Sequence, residues 1–518
     1  KFVISPCIFR KIRVIMSSTG LLVVSNVKTI RSSIAAVKNY VKSLYIHLNV
    51  PPNTNPPTWA GEVAKVYAES LNCGSGIDVR VLVSPFKIQG PICVSRKIDI
   101  LFSDGKFPDV CDSIQKRYNI ALNPVYLSET CVNDLAPIII NGENPPSMHK
   151  NVVLGGTFDR IHVGHKIFLT EAVLRARKRL VVGVTCENMV KSKRLWELIL
   201  PVEQRIKDVY NFLIDIDATL QYDVVPIDDP FGPTKSDPDM DLIIVSAETL
   251  KGGHKVNELR TKNGLKPLEI HCISMVESNP DNSQKENKVS SGNTRMDLLG
   301  TRLKPVEPRP KLPREPYIIG FTGGIATGKS KMIDRFKKMG AFVLDCDKLA
   351  HELYEPGQLC YDKIINHFGR DILEDDGRIN RKKLGSIVFS NPKELENLND
   401  IIWPELILEA KQRVSKAYDE KKFQVAFLEA AVLLKAGWDE HVHEVWSIIV
   451  DPNEAVKRLK ERNNLSEEEA LKRIRSQLDN KTVVDRSHVV FCSQWSYELS
   501  LEQAEKAWTM LMKELESR

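Results

Sequence analysis

The carboxyl-terminal fold is decided by one stretch, which reads Gly323-Gly324-Ile325-Ala326-Thr327-Gly328-Lys329-Ser330 and fits the pattern GxxxxGK[ST]. Apolar residues 317–322 predict a strand before it, and residues 329–338 predict a helix after it. The pattern needs this strand–loop–helix setting to bind phosphate. The glycines let backbone N–H groups turn toward phosphate oxygens, and Lys329 can reach the β and γ phosphates. We therefore predict a nucleotide site here, with the Ser330 hydroxyl bound to Mg²⁺.

Two carboxylates follow the next predicted strand, residues 341–344. Asp345 and Asp347 lie at its carboxyl end, which in a doubly wound domain faces the phosphates. Either side chain could accept a proton from an attacking hydroxyl, or could cap the helix predicted to begin at Lys348. The sequence alone leaves both roles open.

Residues 317–515 resemble the dephospho-coenzyme A kinases. Beyond the phosphate loop, the resemblance rests on Asp345-Cys346-Asp347, Tyr354-Glu355-Pro356-Gly357, Phe368-Gly369, Asp376-Gly377-Arg378-Ile379-Asn380, Val388-Phe389 and Arg458. Three positions depart from the family pattern: Trp403-Pro404 replaces a usual His-Pro, Lys435 stands where an acid is usual, and an Asn-Gly pair is missing near Ser493.

The resemblance implies an enzyme that uses ATP and Mg²⁺ to phosphorylate the ribose 3′-hydroxyl of dephospho-coenzyme A. It implies that Asp347 is the general base and that Lys329 acts on the phosphates. It also implies that Arg462 lies in a mobile lid and that Arg473 and Gln477 lie near the nucleotide.

A second motif lies upstream. Gly155-Gly156-Thr157-Phe158-Asp159 follows a predicted buried strand, and His162-Val163-Gly164-His165 opens a predicted helix. Two imidazoles and helix N–H groups should therefore meet where a phosphate can bind. Two surface histidines on one helical turn are the alternative. The position after the first strand of an alternating strand–helix region favours a nucleotidyltransferase, which attacks the α-phosphate of ATP.

Residues 149–300 resemble the phosphopantetheine adenylyltransferases, closest to the archaeal and eukaryotic type. The resemblance implies that Thr157 and His165 contact the reacting phosphates and that Lys191 or Lys193 neutralises the phosphate of phosphopantetheine. The nucleotide- and substrate-binding set that it implies is Gly156, Thr157, Phe158, His162, His165, Lys191, Lys193, Ser290, Ser291 and Arg295.

The order of the two regions resembles the bifunctional coenzyme A synthases of animals. The resemblance implies small-molecule partners, namely 4′-phosphopantetheine, dephospho-coenzyme A and ATP. A kinase for another small alcohol fused to a different nucleotidyltransferase is one alternative, and a scaffold with one decayed site is another. The net charge of +6 is small for 518 residues and argues against a nucleic-acid partner. No apolar run approaches the ~20 residues that cross a bilayer.

The amino-terminal region, residues 1–148, shows no catalytic motif. Residues 1–60 contain basic but no acidic side chains, which is typical of a mitochondrial presequence. The apolar runs Leu21–Val24 and Leu44–Leu48 instead predict strands of a folded α/β domain, and Met16 is a plausible coding start. A cytoplasmic or mitochondrial protein fits these features. The region could dock protein partners or support the adenylyltransferase.

We thus expect an α/β protein with a Rossmann-like nucleotidyltransferase domain followed by a P-loop kinase domain, and an α/β amino-terminal domain. The predicted divisions are 1–148, 149–300, a Pro-rich linker at 301–316, and 317–518. The polar stretch Ser278–Lys288 predicts a mobile loop. Closely spaced prolines favour a stiff spacer that few contacts between the flanking domains cross, so a kinase fragment beginning near Leu312 should fold alone.

Overall fold

The computed structural model describes residues 18–50, 54–74, 76–128, 147–273 and 289–517. The chain divides into two compact units, Lys1–Thr294 and Arg295–Arg518. The basic start up to residue 17, most of the connector predicted before residue 148, and the polar loop at 278–288 lie outside the described residues. The question of a presequence therefore stays open.

The first sheet of the first unit is entirely parallel, with strand order β3-β2-β1-β4-β5. Its strands are β1 (Thr19–Val24), β2 (Ser43–Leu48), β3 (Asp78–Val81), β4 (Ile100–Ser103) and β5 (Val125–Tyr126). Its helices are α1 (Ile30–Val37), α2 (Ala60–Asn72), α3 (Ser84–Lys87) and α4 (Pro108–Tyr118). β1 is buried along its whole length, as its unbroken apolar run predicts for a strand between two helical layers.

The second sheet of this unit is also parallel, with strand order β10-β9-β6-β7-β8. Its strands are β6 (His149–Gly156), β7 (Ala176–Thr185), β8 (Gln221–Ile227), β9 (Leu242–Ser246) and β10 (Glu269–Ile273). Its helices are α5 (Val163–Arg175), α6 (Val202–Ile216) and α7 (Leu250–Lys262). The order reverses beside β6, so the loop after β6 lies at the switch point where such sheets bind ligands.

The two sheets share one hydrophobic core. Trp59 and Tyr67 of the amino-terminal part belong to the same buried cluster as Ile167 and Phe212 of α5 and α6. Two fully buried carboxylates of the second part also accept ion pairs from the first. Arg80 lies 2.7 Å from Asp215, and Lys87 lies 2.7 Å from Asp217.

The third sheet, in the second unit, is parallel with strand order β12-β13-β11-β14-β15. Its strands are β11 (Tyr317–Gly323), β12 (Phe342–Asp345), β13 (Val425–Glu429), β14 (Glu444–Ile449) and β15 (Val489–Cys492). α8 (Ser291–Leu298) ends in this unit. The other helices are α9 (Lys329–Lys338), α10 (Cys346–Glu352), α11 (Tyr361–Phe368), α12 (Arg381–Ser390), α13 (Pro392–Lys421), α14 (Pro452–Asn463), α15 (Glu467–Arg475), α16 (Asn480–Arg486) and α17 (Tyr497–Glu516). Parallel sheets with interleaved helices confirm the predicted α/β class.

Residues 300–304 pack against this third sheet. The Gly300 N–H donates to Val490 O (3.0 Å), and the Leu303 N–H donates to His488 O (2.7 Å). Arg302 lies 2.6 Å from the fully buried Glu444. Residues 301–304 of the predicted linker are thus part of the second unit, where Arg302 supplies the cation that a buried carboxylate needs.

A membrane-crossing helix would need a long apolar stretch, and none of the helices in the described residues has one.

Candidate active sites

The phosphate loop of the second unit runs from the end of β11 to the start of α9. Ala326 (φ 61°) and Gly328 (φ 83°) both have left-handed backbone, which turns the loop back on itself. A Cβ at Gly323 would lie 2.6 Å from the Ile448 side chain, so only glycine fits there. The Thr327 hydroxyl donates to Gly324 O (2.7 Å) and closes the turn. The loop is thus shaped to present backbone N–H groups to an anion.

Lys329, at the start of α9, lies between two carboxylates. Its Nζ is 3.4 Å from Asp347 Oδ2 and 3.2 Å from Glu429 Oε1. Glu429 ends β13 and is buried, whereas the Asp347 side chain is about half exposed, at 49%. A half-exposed carboxylate beside the phosphate-loop lysine can reach an acceptor hydroxyl and remove its proton.

Asp345 has a different position. It is the N-cap of α10, and its Oδ1 accepts a hydrogen bond from the Lys348 N–H (2.9 Å). Two residues later the chain has turned into α10, and Asp347 faces Lys329 instead. The structure therefore makes Asp345 the helix cap and leaves Asp347 as the candidate proton acceptor.

Three further side chains hold the phosphate loop. Gln477 Oε1 accepts a hydrogen bond from the Ile325 N–H (2.7 Å). Arg458 donates to Ala326 O (3.1 Å) and to the Ser493 hydroxyl (2.8 Å). That hydroxyl in turn donates to Thr327 O (2.6 Å). Ser493 stands where the expected Asn-Gly pair is missing, and it ties the loop after β15 to the phosphate loop.

A cavity of about 560 Å³ adjoins the phosphate loop. Ala326, Gly328, Arg335, Arg458 and Arg462 belong to its lining. The buried Arg335 Nε has no hydrogen-bond partner among the described residues, so the wall offers a donor to a polar ligand. Arg473 lies outside this lining, on an exposed face of α15, and Lys435 is also exposed.

The oxygen donors near Lys329 suit Mg²⁺, which usually takes one or two protein ligands and completes its shell with water and phosphate oxygens. Ser330 is exposed in the first turn of α9. No group of three or more His, Cys, Asp or Glu side chains that could hold a metal occurs in the described part of the chain. The residues beside Lys329 fit an ion whose remaining ligands are water and phosphate oxygens.

The first unit forms its own site after β6. Arg205, a nearly fully buried side chain of α6, donates to Thr157 O (2.7 Å) and Thr185 O (2.9 Å). The Thr185 hydroxyl donates to the Thr157 hydroxyl (3.2 Å). Phe158 is buried at 1% exposure, and its ring packs on Gly156. Only the backbone of Phe158 can therefore reach a nucleotide.

His162 and His165 stack with ring centroids 3.8 Å apart at the amino terminus of α5. His162 is the N-cap, and its Nδ1 accepts the hydrogen bond from the His165 N–H (3.4 Å). When neutral, His162 therefore carries its proton on Nε2, which lies 3.3 Å from the Ser291 hydroxyl. Burial, His162 and Lys193 hold the pKa of His165 well below its ordinary value, so this imidazole is neutral near pH 7.

The two candidate lysines differ in their surroundings. Lys191 is exposed, lies 3.4 Å from Glu187 and sits over the Trp196 ring. Lys193 is close enough to His165 to influence its ionisation. This geometry favours Lys193 as the lysine nearer the histidine pair.

The predicted ATP-binding segment begins α8. The Ser290 hydroxyl accepts a hydrogen bond from the Asn293 N–H (3.2 Å), and Ser291 reaches His162 as described. Arg295 lies further along the same helix and is buried. Its contact with ATP stays a prediction.

Comparisons with known proteins give a match for each of the two domains. The family profile described as "Dephospho-CoA kinase" matches residues 317–496, and the one described as "Cytidylyltransferase-like" matches residues 153–296. A dephospho-CoA kinase of Carboxydothermus hydrogenoformans is 38% identical over 186 residues, which are 36% of this chain and 90% of the relative. The chain belongs to the dephospho-CoA kinase family.

Two further dephospho-CoA kinases are similar to this chain. A dephospho-CoA kinase of Bacillus cereus is 38% identical over 161 residues, covering 31% of this chain and 80% of the relative. A solved dephospho-CoA kinase from Campylobacter jejuni is 26% identical, with 38% of this chain and 97% of that chain covered and a TM-score of 0.31. The two family profiles together show that the chain joins a cytidylyltransferase-like domain to a dephospho-CoA kinase domain.

The sequence did not point to residues that bind backbone groups of a site or that reach the site from strands far away along the chain. Glu429 and Arg205 are buried, and no motif marks them. For Glu429, the available signal was a charged residue at the end of an apolar run. Two polar side chains of α7, Asn257 and Arg260, have structural roles. The side-chain amide of Asn257 donates one hydrogen bond to the backbone of Leu268 and accepts another from it. Arg260 donates to backbone carbonyls.

Proposed function

We propose that this chain catalyses the last two steps of coenzyme A biosynthesis, as do the bifunctional animal synthases that it resembles. The first site transfers the adenylyl group of ATP to 4′-phosphopantetheine, giving dephospho-coenzyme A and pyrophosphate. The second site phosphorylates the ribose 3′-hydroxyl of that product with a further ATP and Mg²⁺. The observation that supports this best is Lys329 placed between Asp347 and Glu429 in a domain of the dephospho-CoA kinase family.

In the kinase step, Asp347 accepts the proton of the 3′-hydroxyl, whose oxygen attacks the γ-phosphorus while ADP leaves. Lys329 and the loop N–H groups stabilise the charge on the phosphoryl oxygens. The Ser330 hydroxyl would hold Mg²⁺, which supplies further positive charge to the phosphates. The cavity beside Ala326 and Arg458 has room for the nucleoside of ATP, and Arg462 at its wall fits the proposed lid. Arg473 and Gln477 complete the proposed nucleotide site.

In the adenylyl-transfer step, a phosphate oxygen of phosphopantetheine attacks the α-phosphorus of ATP. The attacking group is already an anion, so the site needs donors and positioning rather than a base. Neutral His165 can donate one hydrogen bond to the reacting phosphate, and Thr157 can donate another. Lys193 faces the pair and neutralises the acceptor phosphate, with Lys191 the second choice. Ser290, Ser291 and Arg295 are the proposed ATP-binding residues.

The test is a one-pot assay of the full chain with ATP and 4′-phosphopantetheine. The unaltered protein should release pyrophosphate and accumulate coenzyme A. Lys329→Met should stop at dephospho-coenzyme A, because its adenylylation site is intact. His165→Ala should lower the rate of adenylyl transfer by a factor of about 10²–10³, which is the scale for losing one transition-state donor. The same variant should phosphorylate added dephospho-coenzyme A at the normal rate.

His162→Ala should cost less than His165→Ala, because His162 is oriented toward Ser291 and the helix N–H. Loss of both activities in either single-site variant, with the fold intact, would refute two separate sites. Turnover of neither substrate by the unaltered chain would refute the proposed function itself.

A further inference from the structure

The first unit contains a second cavity, outside the proposed active site. Its volume is about 830 Å³, within the range of about 300–1,000 Å³ typical of small-molecule sites. Its lining combines residues of the amino-terminal part, including Asp78 and Arg80 of β3, with residues of α5 and α6. The residues used below are Lys42, Asp78, Arg80, Arg96, Lys166 and Asp208.

The four cationic side chains of this wall outnumber its two carboxylates, Asp78 and Asp208. The carboxylate of Asp78 pairs with three cationic side chains. Its oxygens lie 2.6 Å from Lys166 Nζ, 3.0 Å from the Arg80 guanidinium and 3.1 Å from the Arg96 guanidinium. Arg80 has a second partner behind the wall, the fully buried Asp215. The ammonium group of Lys42 has no hydrogen-bond or ionic partner in the part of the chain that the structure describes.

The cation cluster is also partly desolvated. The side chains of Lys166 and Arg80 are only 10% and 14% exposed. Burial lowers the pKa of Lys166 although Asp78 pairs with it. Burial opposes the ionisation of Asp78, yet its cations bring the pKa of that carboxyl down to about 2. A buried cation cluster with too few carboxylates is stabilised by any further anion that can enter.

We propose that this cavity binds a phosphate-bearing small molecule. Arg96 and Lys42 are the accessible groups of the wall, and a guanidinium can grip a phosphate through two parallel hydrogen bonds. Ile77, Ile161 and Phe212 supply apolar wall for the organic part of the ligand. An organic phosphate therefore fits the cavity better than a bare inorganic ion.

The ligand would influence the helix that begins with the histidine pair. Lys166 directly follows His165, and its ammonium group donates to Asp78 (2.6 Å) and Val79 O (2.8 Å). An anion at the cluster competes with Asp78 for the same cations and so alters the attachment of α5. The resulting change in adenylyl transfer rests on the proposed function, whereas binding itself does not.

Binding can be tested by thermal unfolding of the full chain with inorganic phosphate or phenyl phosphate, against sodium chloride at equal ionic strength. We expect phenyl phosphate to raise the Tm by about 2 °C or more at several times its Kd, and inorganic phosphate to raise it less. The double variant Lys42→Gln/Arg96→Gln should lose most of this rise. The control Lys65→Gln/Arg31→Gln removes the same charge from exposed positions of the same unit and should keep it.

Equal Tm rises in both double variants would overturn the proposal, because the phosphates would then be binding elsewhere. No rise with either phosphate would also overturn it. In a second readout, phenyl phosphate should change the KM for phosphopantetheine by about fivefold or more, a usual size for allosteric coupling, and only in proteins that retain Lys42 and Arg96. A binding signal without detectable adenylyl transfer would leave the cavity site standing and refute the function proposed above.

Discussion

At the scale of single residues, the two members of the aspartate pair and of the histidine pair have different environments, although they lie close together in the sequence. Asp345 is fixed by a helix-capping hydrogen bond, while Asp347 lies near Lys329. His162 accepts a hydrogen bond within its helix, while the Nδ1 of His165 is buried without a partner among the described residues. These differences decide which member of each pair is free to act on a substrate.

The aspartate pair gives a direct prediction. Asp347→Asn should slow phosphorylation of dephospho-coenzyme A by roughly 10²–10⁴ with little change in ATP affinity, because a general base is lost. Asp345→Asn is the matched control, since asparagine caps a helix about as well as aspartate. Steady-state kinetics and ATP titration measure both effects. If Asp345→Asn slowed phosphorylation more than Asp347→Asn, or if Asp347→Asn abolished ATP binding, the assignment of Asp347 as the base would be wrong.

A buried histidine should make the first unit sensitive to acid. Burial and the nearby Arg117 lower the pKa of His47 to about 3, and Tyr118 hydrogen-bonds its Nδ1 (2.8 Å). In the unfolded chain this imidazole takes up a proton near pH 6.5, whereas in the folded chain it stays neutral down to about pH 3. The free energy of unfolding is therefore highest above pH 6.5 and decreases as the pH falls from 6.5 toward 3. At pH 5 the unit should lose about 2 kcal/mol through this residue.

The measurement is hydrogen exchange of peptides from β1 and β2 at pH 7.5 and pH 5, in the unaltered chain and in His47→Gln. Glutamine keeps a hydrogen-bonding group near Tyr118 but cannot take up a proton. The pH-dependent loss should therefore be smaller in the variant. Identical pH dependence in both proteins would show that His47 is not a source of the acid sensitivity.

At the scale of elements, α5 connects the proposed histidine site to the amino-terminal sheet. Lys166 donates to Asp78 and Val79 O, and Thr170, one turn later, lies within 3.4 Å of the Tyr67 hydroxyl. Lys87 donates to Ala176 O just beyond the end of the helix. The amino-terminal domain thus supports the helix, which favours the supporting role over partner docking for this part of the chain.

Lys166→Met should lower adenylyl transfer roughly tenfold to a hundredfold through kcat, because α5 loses a fixed point and the histidines shift. Methionine fills the apolar space of the lysine stem, and Asp78 keeps Arg80 and Arg96 as partners. Dephospho-coenzyme A phosphorylation should be unchanged. The control is Lys38→Met, which removes a lysine–carbonyl bond to Cys73 O elsewhere in the same domain. Equal loss of transfer in both variants would point to general destabilisation instead.

At the scale of the whole molecule, the two compact units hold different motifs, the histidine pair in the first and the phosphate loop in the second. The segment before β11 belongs physically to the second unit, since Arg302 pairs with Glu444 and with Glu514. Glu444 also accepts hydrogen bonds from the Tyr317 hydroxyl and the Trp446 indole. Removing the arginine leaves this buried carboxylate without its cation.

A fragment of residues 312–518 should therefore be about 3–5 kcal/mol less stable than one of residues 295–518, the usual cost of breaking a buried ion pair. Denaturant unfolding of the two fragments measures the difference. Both contain the phosphate loop, so both should phosphorylate dephospho-coenzyme A while folded. Arg302→Met in the longer fragment should reproduce most of the loss. Equal stability of the two fragments would contradict a structural role for residues 300–304.

Much of the architecture could be predicted from local pattern. The predicted helix at 329–338 matches α9, and the predicted strand at 317–322 matches β11 to within one residue. Apolar runs and glycine motifs act over a few residues, which is why short windows reveal them. Both histidines and Lys329 were found for the same reason. Glu429, Arg205 and Ser493 were not assigned roles, because each reaches its partner across more than 20 residues of chain.

The sequence by itself determined the α/β class, the phosphate loop with Lys329, and the histidine pair at the start of α5. Backbone preference, hydrophobic periodicity and motif spacing are local properties, so they can be read without the fold. Only the tertiary structure decided that Asp347 rather than Asp345 faces Lys329, that Arg302 belongs to the second unit, and that Asp78 holds Lys166. Those choices depend on which buried charge meets which partner. Burial and pairing exist only after distant segments have packed together.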